Sequence, residues 1–398
     1  MNKDSYKTIS LCMIVRNEAC NLDACLENIR KVVNEIIFVD TGSTDQTLLK
    51  CRQYSNKIYQ SPWEDDFSKA RNVSLDQATG DWILWIDGDD RLDAEECLKI
   101  RELTKYPLDR GFAFNIIDKN KMGQVSDVFQ QTRFFPNHPR LRFRRRVHEQ
   151  ISLSLDELHF KTIFVNNIYI THTGYRDKGV DKLKAVRNKR LMEMEMDEWG
   201  HEPTVRYMYA GCFESLEDYP RAIQEYRTAF QLAGQGNLQS HVRRFAPLKI
   251  AECYWKAKNY IEAEEWAGKA LSENSEQAIA YAIRGGIDYL KGDLNRAEKN
   301  FLKVIAMEIK PGLIPQNTYL VKKKAFVHLQ NIYRQSGQWE KLLLILERHL
   351  DFDPQSGERY ASLGDVWRKL GRTAESERLS RKAGKNAGVL VESGSPSV

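Results

Sequence analysis

The sequence predicts an α/β domain with a mostly parallel, Rossmann-like sheet, followed by an all-α array of helical repeats. Three observations lead there. From Thr8 to about Arg176, short apolar strands alternate with helical segments. Beyond about Arg187 the strand signals vanish, and small residues recur in pairs twelve positions apart. Within the first half, Trp82-Ile83-Leu84-Trp85-Ile86 runs unbroken into Asp87-Gly88-Asp89-Asp90. An apolar run of that length reads as a strand buried on both faces, whose C-terminal end carries chemistry in an open α/β sheet.

The elements follow in order. Ile9 to Val15 is a strand, Leu22 to Val32 an amphipathic helix, and Ile36 to Val39 a second strand ending at Asp40. Thr47 to Tyr54 is a helix, Lys57 to Tyr59 a short strand, Phe67 to Ala78 a helix, and Trp82 to Ile86 the next strand. Asp93 then caps a helix with Glu95 and Glu96 in its first turn. Strand, helix, strand at this spacing implies parallel pairing through right-handed crossovers. Gly111 to Asp118, Thr132 to Phe135 and Ile163 to Thr171 are further strands whose pairing the sequence does not fix.

In the second half, Ala210/Ala222, Ala251/Ala263, Gly285/Ala297, Gln330/Leu342 and Gly364/Ser376 are the spaced pairs, with Phe213, Tyr254, Tyr289, Tyr333 and Trp367 shortly after the first members. Small side chains at such points let the two helices of a hairpin approach closely, and Gln330/Leu342 departs from that rule. The intervals from Ala263 to Ala297 and from Leu342 to Ser376 are both 34 residues, the tetratricopeptide period. Pro311 and Pro354 fit the closing position. The expected organisation is a catalytic-type domain at 1–186, a linker helix at 187–200, repeats at 201–388 and a disordered tail at 389–398, rich in Gly, Ser and Pro.

Composition bounds the rest. The 398 residues allow two or three domains, and 42% hydrophobic content with 8 Trp, 17 Tyr and 16 Phe supports real cores. The net charge of +5 is a small difference between 60 basic and 55 acidic residues, which permits an anionic ligand but does not argue for nucleic acid. Seven scattered cysteines without a Cys-x-x-Cys pair read as reduced thiols, so a cytoplasmic location is expected. The stretch Met1 to Thr8 is polar, and no apolar run reaches the roughly 18 residues of a membrane span.

Each early strand ends in a polar cluster. Strand one runs into Val15-Arg16-Asn17-Glu18, and strand two into Asp40-Thr41-Gly42-Ser43-Thr44-Asp45. Asp40 can accept bonds from a ribose or base N–H, and Ser43-Thr44-Asp45 supplies a helix N-cap. Asp87 and Asp89 stand at i and i+2, so in extended backbone they project the same way. Gly88 between them opens the backbone to a phosphate. Two such carboxylates suit Mg²⁺ or Mn²⁺. Arg140, Arg142, Arg144, Arg145 and Arg146 form a basic run before His148-Glu149, either a solvated loop or a steering surface for an anion.

In this order the motifs resemble the family 2 glycosyltransferases of the GT-A fold, whose strands end in an Asn-Glu element, an Asp-x-Gly-Ser-Thr-Asp-x-Thr element and an Asp-x-Asp. Phe67-Ser68-x-Ala70-Arg71-Asn72, Val147-His148-Glu149 and His172-x-Gly174-Tyr175 narrow the resemblance. The subgroup includes lipopolysaccharide-core glucosyltransferases and, with helical repeats attached, sublancin-type peptide S-glycosyltransferases. The resemblance implies a nucleotide-diphosphate sugar as donor, such as a UDP-sugar (UDP-glucose among them), and inversion at the anomeric carbon. It implies that Val15, Asn17, Glu18, Asp40, Ser43, Arg71, Asp87 and Gly88 surround the donor, with Arg71 facing its phosphates. Asp89 would bind the metal, with Asp87 on the metal or the ribose and His172 completing the metal or phosphate site. Glu149 is the expected general base with His148 beside it, while Asp118, Asp127 and Asp177 stay open for that role. The acceptor is expected to be a Cys, Ser or Thr side chain of a peptide or protein, such as a bacteriocin precursor, bound near the repeats. A glycan or lipopolysaccharide acceptor is the alternative, and a non-catalytic repeat scaffold the third reading. Repeat arrays often dimerise, so a homodimer stays open as well.

Overall fold

A computed structural model describes residues 6–119, 125–174, 178–234, 240–308, 318–353 and 357–372. Tyr175, Asp177, Pro311, Pro354, Ser376 and the expected tail lie outside these residues. The chain divides into two compact units, the first running to Arg243 and the second starting at Arg244, among the described residues.

The first unit is built on one mixed sheet. Strands β1 (Ile9–Val15), β2 (Glu35–Asp40), β3 (Ile58–Gln60) and β4 (Trp82–Trp85) alternate with helices α1 (Leu22–Ile29), α2 (Thr47–Cys51) and α3 (Phe67–Asp76). There follow β5 (Asp90–Arg91), α4 (Ala94–Leu103), β6 (Arg110–Lys119), β7 (Val125–Pro136), α5 (Ser152–Glu157) and β8 (Lys161–His172). The sheet order is β3-β2-β1-β4-β7-β6-β8-β5. The first four strands pair in parallel, β7 runs antiparallel between β4 and β6, and β8 lies parallel to β6. Strand β1 has β2 on one side and β4 on the other, so the chain reverses its direction of winding there. In such a sheet the loops after these strands border the ligand crevice.

Both faces of the parallel half are covered, which is why its strands are apolar without alternation. Trp82, Leu84 and Ile86 point into one core with Leu11, Met13 and Phe134, where Trp82 stacks on Phe134 at 4.7 Å. Ile83 and Trp85 point into the other, with Cys12, Ile37 and Phe143. The N-terminal ends of the parallel strands are tied by Glu35. Its carboxylate accepts from Ser10 Oγ, Lys57 Nζ, the Thr79 backbone N–H at 2.7 Å and the Gly80 N–H at 3.3 Å. One side chain of β2 thus holds β1, the lead-in to β3 and the lead-in to β4.

Two short elements were absent from the expected pattern. Strand β5 pairs with β8, and α5 packs Leu155 against Phe143 and Ile151. Helix α6 (Lys178–Trp199) is longer than the expected 187–200 linker. It docks on the loop after β7 through the basic run. Buried Arg145 binds Glu195 at 2.6 Å and Glu202 at 2.7 Å, Arg146 binds Glu198, and Arg190 of α6 binds Asp65. Arg142 and Arg144 pair with Asp76 and Glu157. The run is therefore mostly spent on internal ion pairs, because burial of the loop requires countercharges. Val147, Leu191, Met192, Met196, Val205 and Cys212 fill the seam. Helices α7 (Pro203–Ser215) and α8 (Tyr219–Ala233) form a hairpin in this same unit, with Ala210 and Ala222 fully buried.

Helix α9 (Ser240–Lys256) leads into the second unit, which continues with α10 (Tyr260–Glu273), α11 (Ala278–Leu290), α12 (Leu294–Ala306), α13 (Thr318–Gln335), α14 (Trp339–Phe352) and α15 (Gly357–Lys369). The four spaced pairs that lie wholly within the described residues fall on successive helices of each hairpin. Ala251, Ala263, Ala297 and Leu342 are fully buried, and a Cβ on Gly285 would meet the Phe301 ring at 3.0 Å. A left-handed residue closes each described hairpin turn at the same register, Glu217, Lys258, Gly292 and Gly337, and Gly371 stands at that register after α15. Such a residue ends the first helix and reverses the chain.

Candidate active site

Three loops meet at the C-terminal edge of β1, β2 and β4. The first two are laced to each other. Asn17, at a positive φ of 57°, receives the Thr44 N–H on its side-chain oxygen at 2.8 Å and donates its own N–H to Ser43 Oγ at 3.1 Å. The Glu18 N–H donates to Thr47 Oγ1 at 2.7 Å, and the Val15 carbonyl receives the Thr41 N–H at 3.0 Å. Asp40, buried, accepts the Gly42 and Ser43 N–H groups at 3.2 Å, closing a turn in which Gly42 has φ +107°. The expected cap at Ser43-Thr44-Asp45 is displaced. Helix α2 starts at Thr47 behind Gln46, and it is Asp45 that accepts the Thr47 N–H at 2.9 Å.

The acidic tip after β4 is arranged differently from an extended Asp-x-Asp. The Asp90 N–H donates to the Asp87 carbonyl at 3.0 Å and the Asp87 N–H to Asp90 Oδ2 at 2.9 Å, so the segment is a closed turn. Asp87 and Asp89 consequently part. Asp87 meets Arg71 Nη2 at 2.8 Å and Arg133 Nη1 at 3.5 Å. Burial alone would raise its carboxyl, yet the two guanidiniums hold it well below the usual carboxylate range. Asp89 turns to His172, whose Nδ1 is 3.4 Å from Asp89 Oδ1 and 2.9 Å from Asp90 Oδ1. Burial raises the Asp89 carboxyl, His172 opposes that, and Asp87 and Asp90 add to it. Burial opposes the charge on His172, but Asp90, Asp89 and Asp87 outweigh it and lift the ring to about 9.

Asp89, Asp90 and His172 bring one ligand atom each within 4.8 Å of one another. Asp87, engaged by the arginines, is not in this group, and Asp90 joins it as the partner of His172, its Oδ1 on His172 Nδ1 and its Oδ2 on Arg133 and the Asp87 N–H. With His172 Nδ1 donating to Asp90, the ring is oriented as in metal sites where a carboxylate fixes the ligating histidine. An ion that displaces the second ring proton can then be bound by Nε2. A Cβ on Gly174 would lie 2.6 Å from Asp89 Oδ2 and 2.7 Å from His172 Nε2, so glycine leaves open the space that these two atoms share. The donors present fit a divalent cation there. A ring nitrogen in the set suits Mn²⁺ better than the all-oxygen preference of Mg²⁺.

Gly88 does not lie open as expected, because a Cβ there would meet Glu18 Cγ and Oε2 at 2.8 Å. Burial raises the Glu18 carboxyl, its Asn21 bond opposes this, and the charges of Asp89 and Asp87 add to the rise. Arg71 is turned inward rather than toward solvent. Its guanidinium is buried, bonded through Nε to Glu149 Oε1 at 2.7 Å and through Nη2 to Asp87, and lies 4.0 Å over the Trp85 ring. Arg133 lies 3.8 Å over the same indole and reaches Asp90 at 3.0 Å. A buried guanidinium needs such countercharges, and that requirement turns Arg71 inward. His148 is exposed with φ 54°, beside Glu149. Asp118 and Asp127 face each other across β6 and β7, and Asp118 also pairs in register with His172 across β8.

Arg133, Asp90 and Trp85 were missed as site residues. The one available signal was a lone arginine inside the apolar strand Thr132 to Phe135, since an unpaired charge there is prohibitive.

Residues 10–164 match the glycosyl transferase family 2 model. A TPR repeat-containing protein of Synechococcus elongatus is 28% identical over 83% of this chain and 72% of its own length. The SPbeta prophage-derived glycosyltransferase SunS of Bacillus subtilis is 30% identical over 60% of this chain, and the chain spans 57% of that relative's length. A solved structure of MamA overlaps 49% of this chain and 97% of its own at a TM-score of 0.38 and 18% identity, a likeness too loose to add to these. The sheet domain and the helical hairpins agree in order with a glycosyltransferase domain followed by tetratricopeptide-like repeats.

Proposed function

With a family 2 glycosyltransferase domain at residues 10–164 as premise, we propose that the protein transfers a sugar from a nucleotide-diphosphate donor, a UDP-sugar by preference, to a side chain of a peptide or protein. The observation that carries this reading is the space shared by Asp89 Oδ2 and His172 Nε2 beside Gly174, at the edge where the loops after β1, β2 and β4 converge. Mn²⁺ or Mg²⁺ held by Asp89 and His172 would supply a Lewis acid that offsets the diphosphate charge as the sugar leaves.

The chain's own groups have the following roles. Glu18 and Asp40 border the nucleoside, with Val15, Asn17 and Ser43 holding the two loops in place. Asp87 stays ionised between Arg71 and Arg133 and keeps negative charge next to the ion. Glu149 receives the acceptor proton on the oxygen opposite the one held by Arg71, and His148 positions the acceptor. A cysteine acceptor, with a free thiol near pH 8.5, needs little from that base. The repeats suit a polypeptide acceptor because stacked hairpins present an extended surface. No helix among the described residues is long and apolar enough to cross a membrane.

The test is hydrolysis of UDP-sugars by the full chain with Mn²⁺ or Mg²⁺, and then a peptide panel read by mass. Activity that needs the ion and falls at least a hundredfold in Asp89→Ala supports the reading. A gain of one hexose on a peptide, abolished by blocking its thiol, assigns a cysteine acceptor. Hydrolysis unaffected by Asp89→Ala, or transfer to glycans with none to peptides, overturns it.

A further inference from the structure

Helix α1 buries Leu22, Leu26 and Ile29 in the core of the sheet, and a second, polar stripe of it meets the acidic turn after β4. Asn21, Cys25 and Asn28 form that stripe at i, i+4 and i+7. Cys25 Sγ donates to the Asp87 carbonyl at 3.4 Å and Asn28 Nδ2 to the Leu92 carbonyl at 3.1 Å. Asn21 is the N-cap residue of α1, a place where an asparagine ordinarily accepts a backbone N–H of the first turn. Its side chain makes no such bond. The side-chain oxygen is taken instead by Arg91 Nη2 at 3.3 Å.

Arg91, half-buried on β5, is the centre of this contact. Its Nη1 donates to the Gly88 carbonyl at 3.0 Å and to the Asp90 carbonyl at 2.8 Å, which holds the turn. Its bond to Asn21 fixes which way that amide points, because an amide oxygen and not its nitrogen must face a guanidinium. The amide nitrogen is thereby turned to Glu18 and donates to Oε2 at 2.7 Å. This bond keeps Glu18 over Gly88, where a Cβ would meet its Cγ and Oε2 at 2.8 Å. Among the described residues no hydrogen bond reaches the other oxygen, Oε1. The bond between Asn21 and Glu18 spans only three positions and ties no two elements together, so packing does not account for it. A carboxylate with one oxygen committed and the other unfilled is set to accept an O–H.

Resting on the glycosyltransferase reading, we propose that Asn21 and Arg91 are positioning residues for donor binding. Arg91 orients the Asn21 amide, and Asn21 holds the Glu18 carboxylate over Gly88, leaving Oε1 to accept a ribose hydroxyl of the nucleoside diphosphate. Neither residue touches the substrate. The effect of each passes through Glu18, and that separates this role from support of the fold. Glycine at position 88 belongs to the same arrangement, since a side chain there would push Glu18 aside.

The experiment is calorimetric titration of the full chain in Mn²⁺ with UDP and, as a probe that lacks the nucleoside, inorganic pyrophosphate. Asn21→Leu is expected to weaken UDP binding about tenfold, the loss of one charged hydrogen bond, and to leave pyrophosphate binding within about twofold. Glu18→Ala should weaken UDP at least as much. Neither Asn21→Leu nor Arg91→Met should then add to the loss in the Glu18→Ala background. Arg91→Met alone should weaken UDP like Asn21→Leu, and Arg91→Lys should recover part of that. Circular dichroism melting checks folding, and Asn21→Leu, the smaller change, carries the test if Arg91→Met melts early. Wild-type UDP affinity in folded Asn21→Leu, equal weakening of pyrophosphate, or losses that multiply in the double variants each overturns the positioning role. Failure of the wild type to bind UDP overturns it together with the donor assignment. Sugar-nucleotide hydrolysis by the wild type is scored separately. Hydrolysis with Asn21-independent UDP binding sinks the positioning role alone, and Asn21-dependent binding without any hydrolysis sinks the enzymatic reading alone.

Discussion

At the scale of single residues, the acidic tip shows how a motif can be legible in type and not in geometry. The run of carboxylates after an apolar strand was visible in sequence, as was His172 ending a second strand. The parting of Asp87 from Asp89 was not, because it depends on a turn closed by Asp90 and on pairing between Asp90 and His172 across β5 and β8. Arg71 was read as facing phosphate for the same reason: a helix position fixes a direction, but Asp87 and Glu149 decide where the guanidinium ends. Gly174 is the residue on which the shared space depends. Gly174→Ala places a methyl within 2.6 Å of Asp89 Oδ2 and 2.7 Å of His172 Nε2. Mn²⁺ affinity, followed by electron paramagnetic resonance of the free ion, is expected to drop roughly tenfold or more, with little change in melting temperature.

At the scale of elements, strand and hairpin periods carried nearly all of the information. Strand β1 was bounded by its apolar run and β4 to within one residue, whereas β5 and α5 were too short to leave a periodic signal. The hairpin turns were recognisable from their small and polar residues, and the left-handed residue at each sits in one register because both helices must be reversed in the same way. Glu35 makes a prediction at this scale. Burial would raise its carboxyl, but Lys57, Ser10 and Thr79 outweigh that and hold it at about 2. A carboxyl depressed in the folded protein stabilises above its unfolded pKa, near 4.5, and that contribution is lost as pH falls toward 2. Stability of the first unit is therefore expected to decline between about pH 4.5 and 2. Glu35→Gln should cost roughly 1–3 kcal/mol near neutral pH and flatten that decline, as measured by denaturant melts across the range.

At the scale of the whole chain, the division between a sheet domain and helical repeats was plain from the loss of strand signals, while the compact units were not. Helices α6, α7 and α8 fall in the unit that contains the sheet, because Arg145 and Val147 are sealed against them. The basic run looked like a surface feature, and only the acidic residues at Glu195, Glu198 and Glu202, some fifty positions away, show otherwise. Glu195→Ala leaves Arg145 buried with one exposed partner and is expected to destabilise the chain by roughly 3–5 kcal/mol. Replacing both residues by methionine should restore much of the loss, and a thermal-melt double-mutant cycle measures that coupling.

The pairing of Asp90 with His172 has a consequence for synthesis on the ribosome. The acidic turn emerges first, with Arg133 and His172 following 43 and 82 residues later. A nascent chain that has just released Phe164 already holds everything the family model covers, yet Asp89 and Asp90 still lack the imidazole that pairs with them. Translation must therefore outrun the family signature before the tip can be completed, and a fragment cut at that boundary would carry the motif without the centre it names.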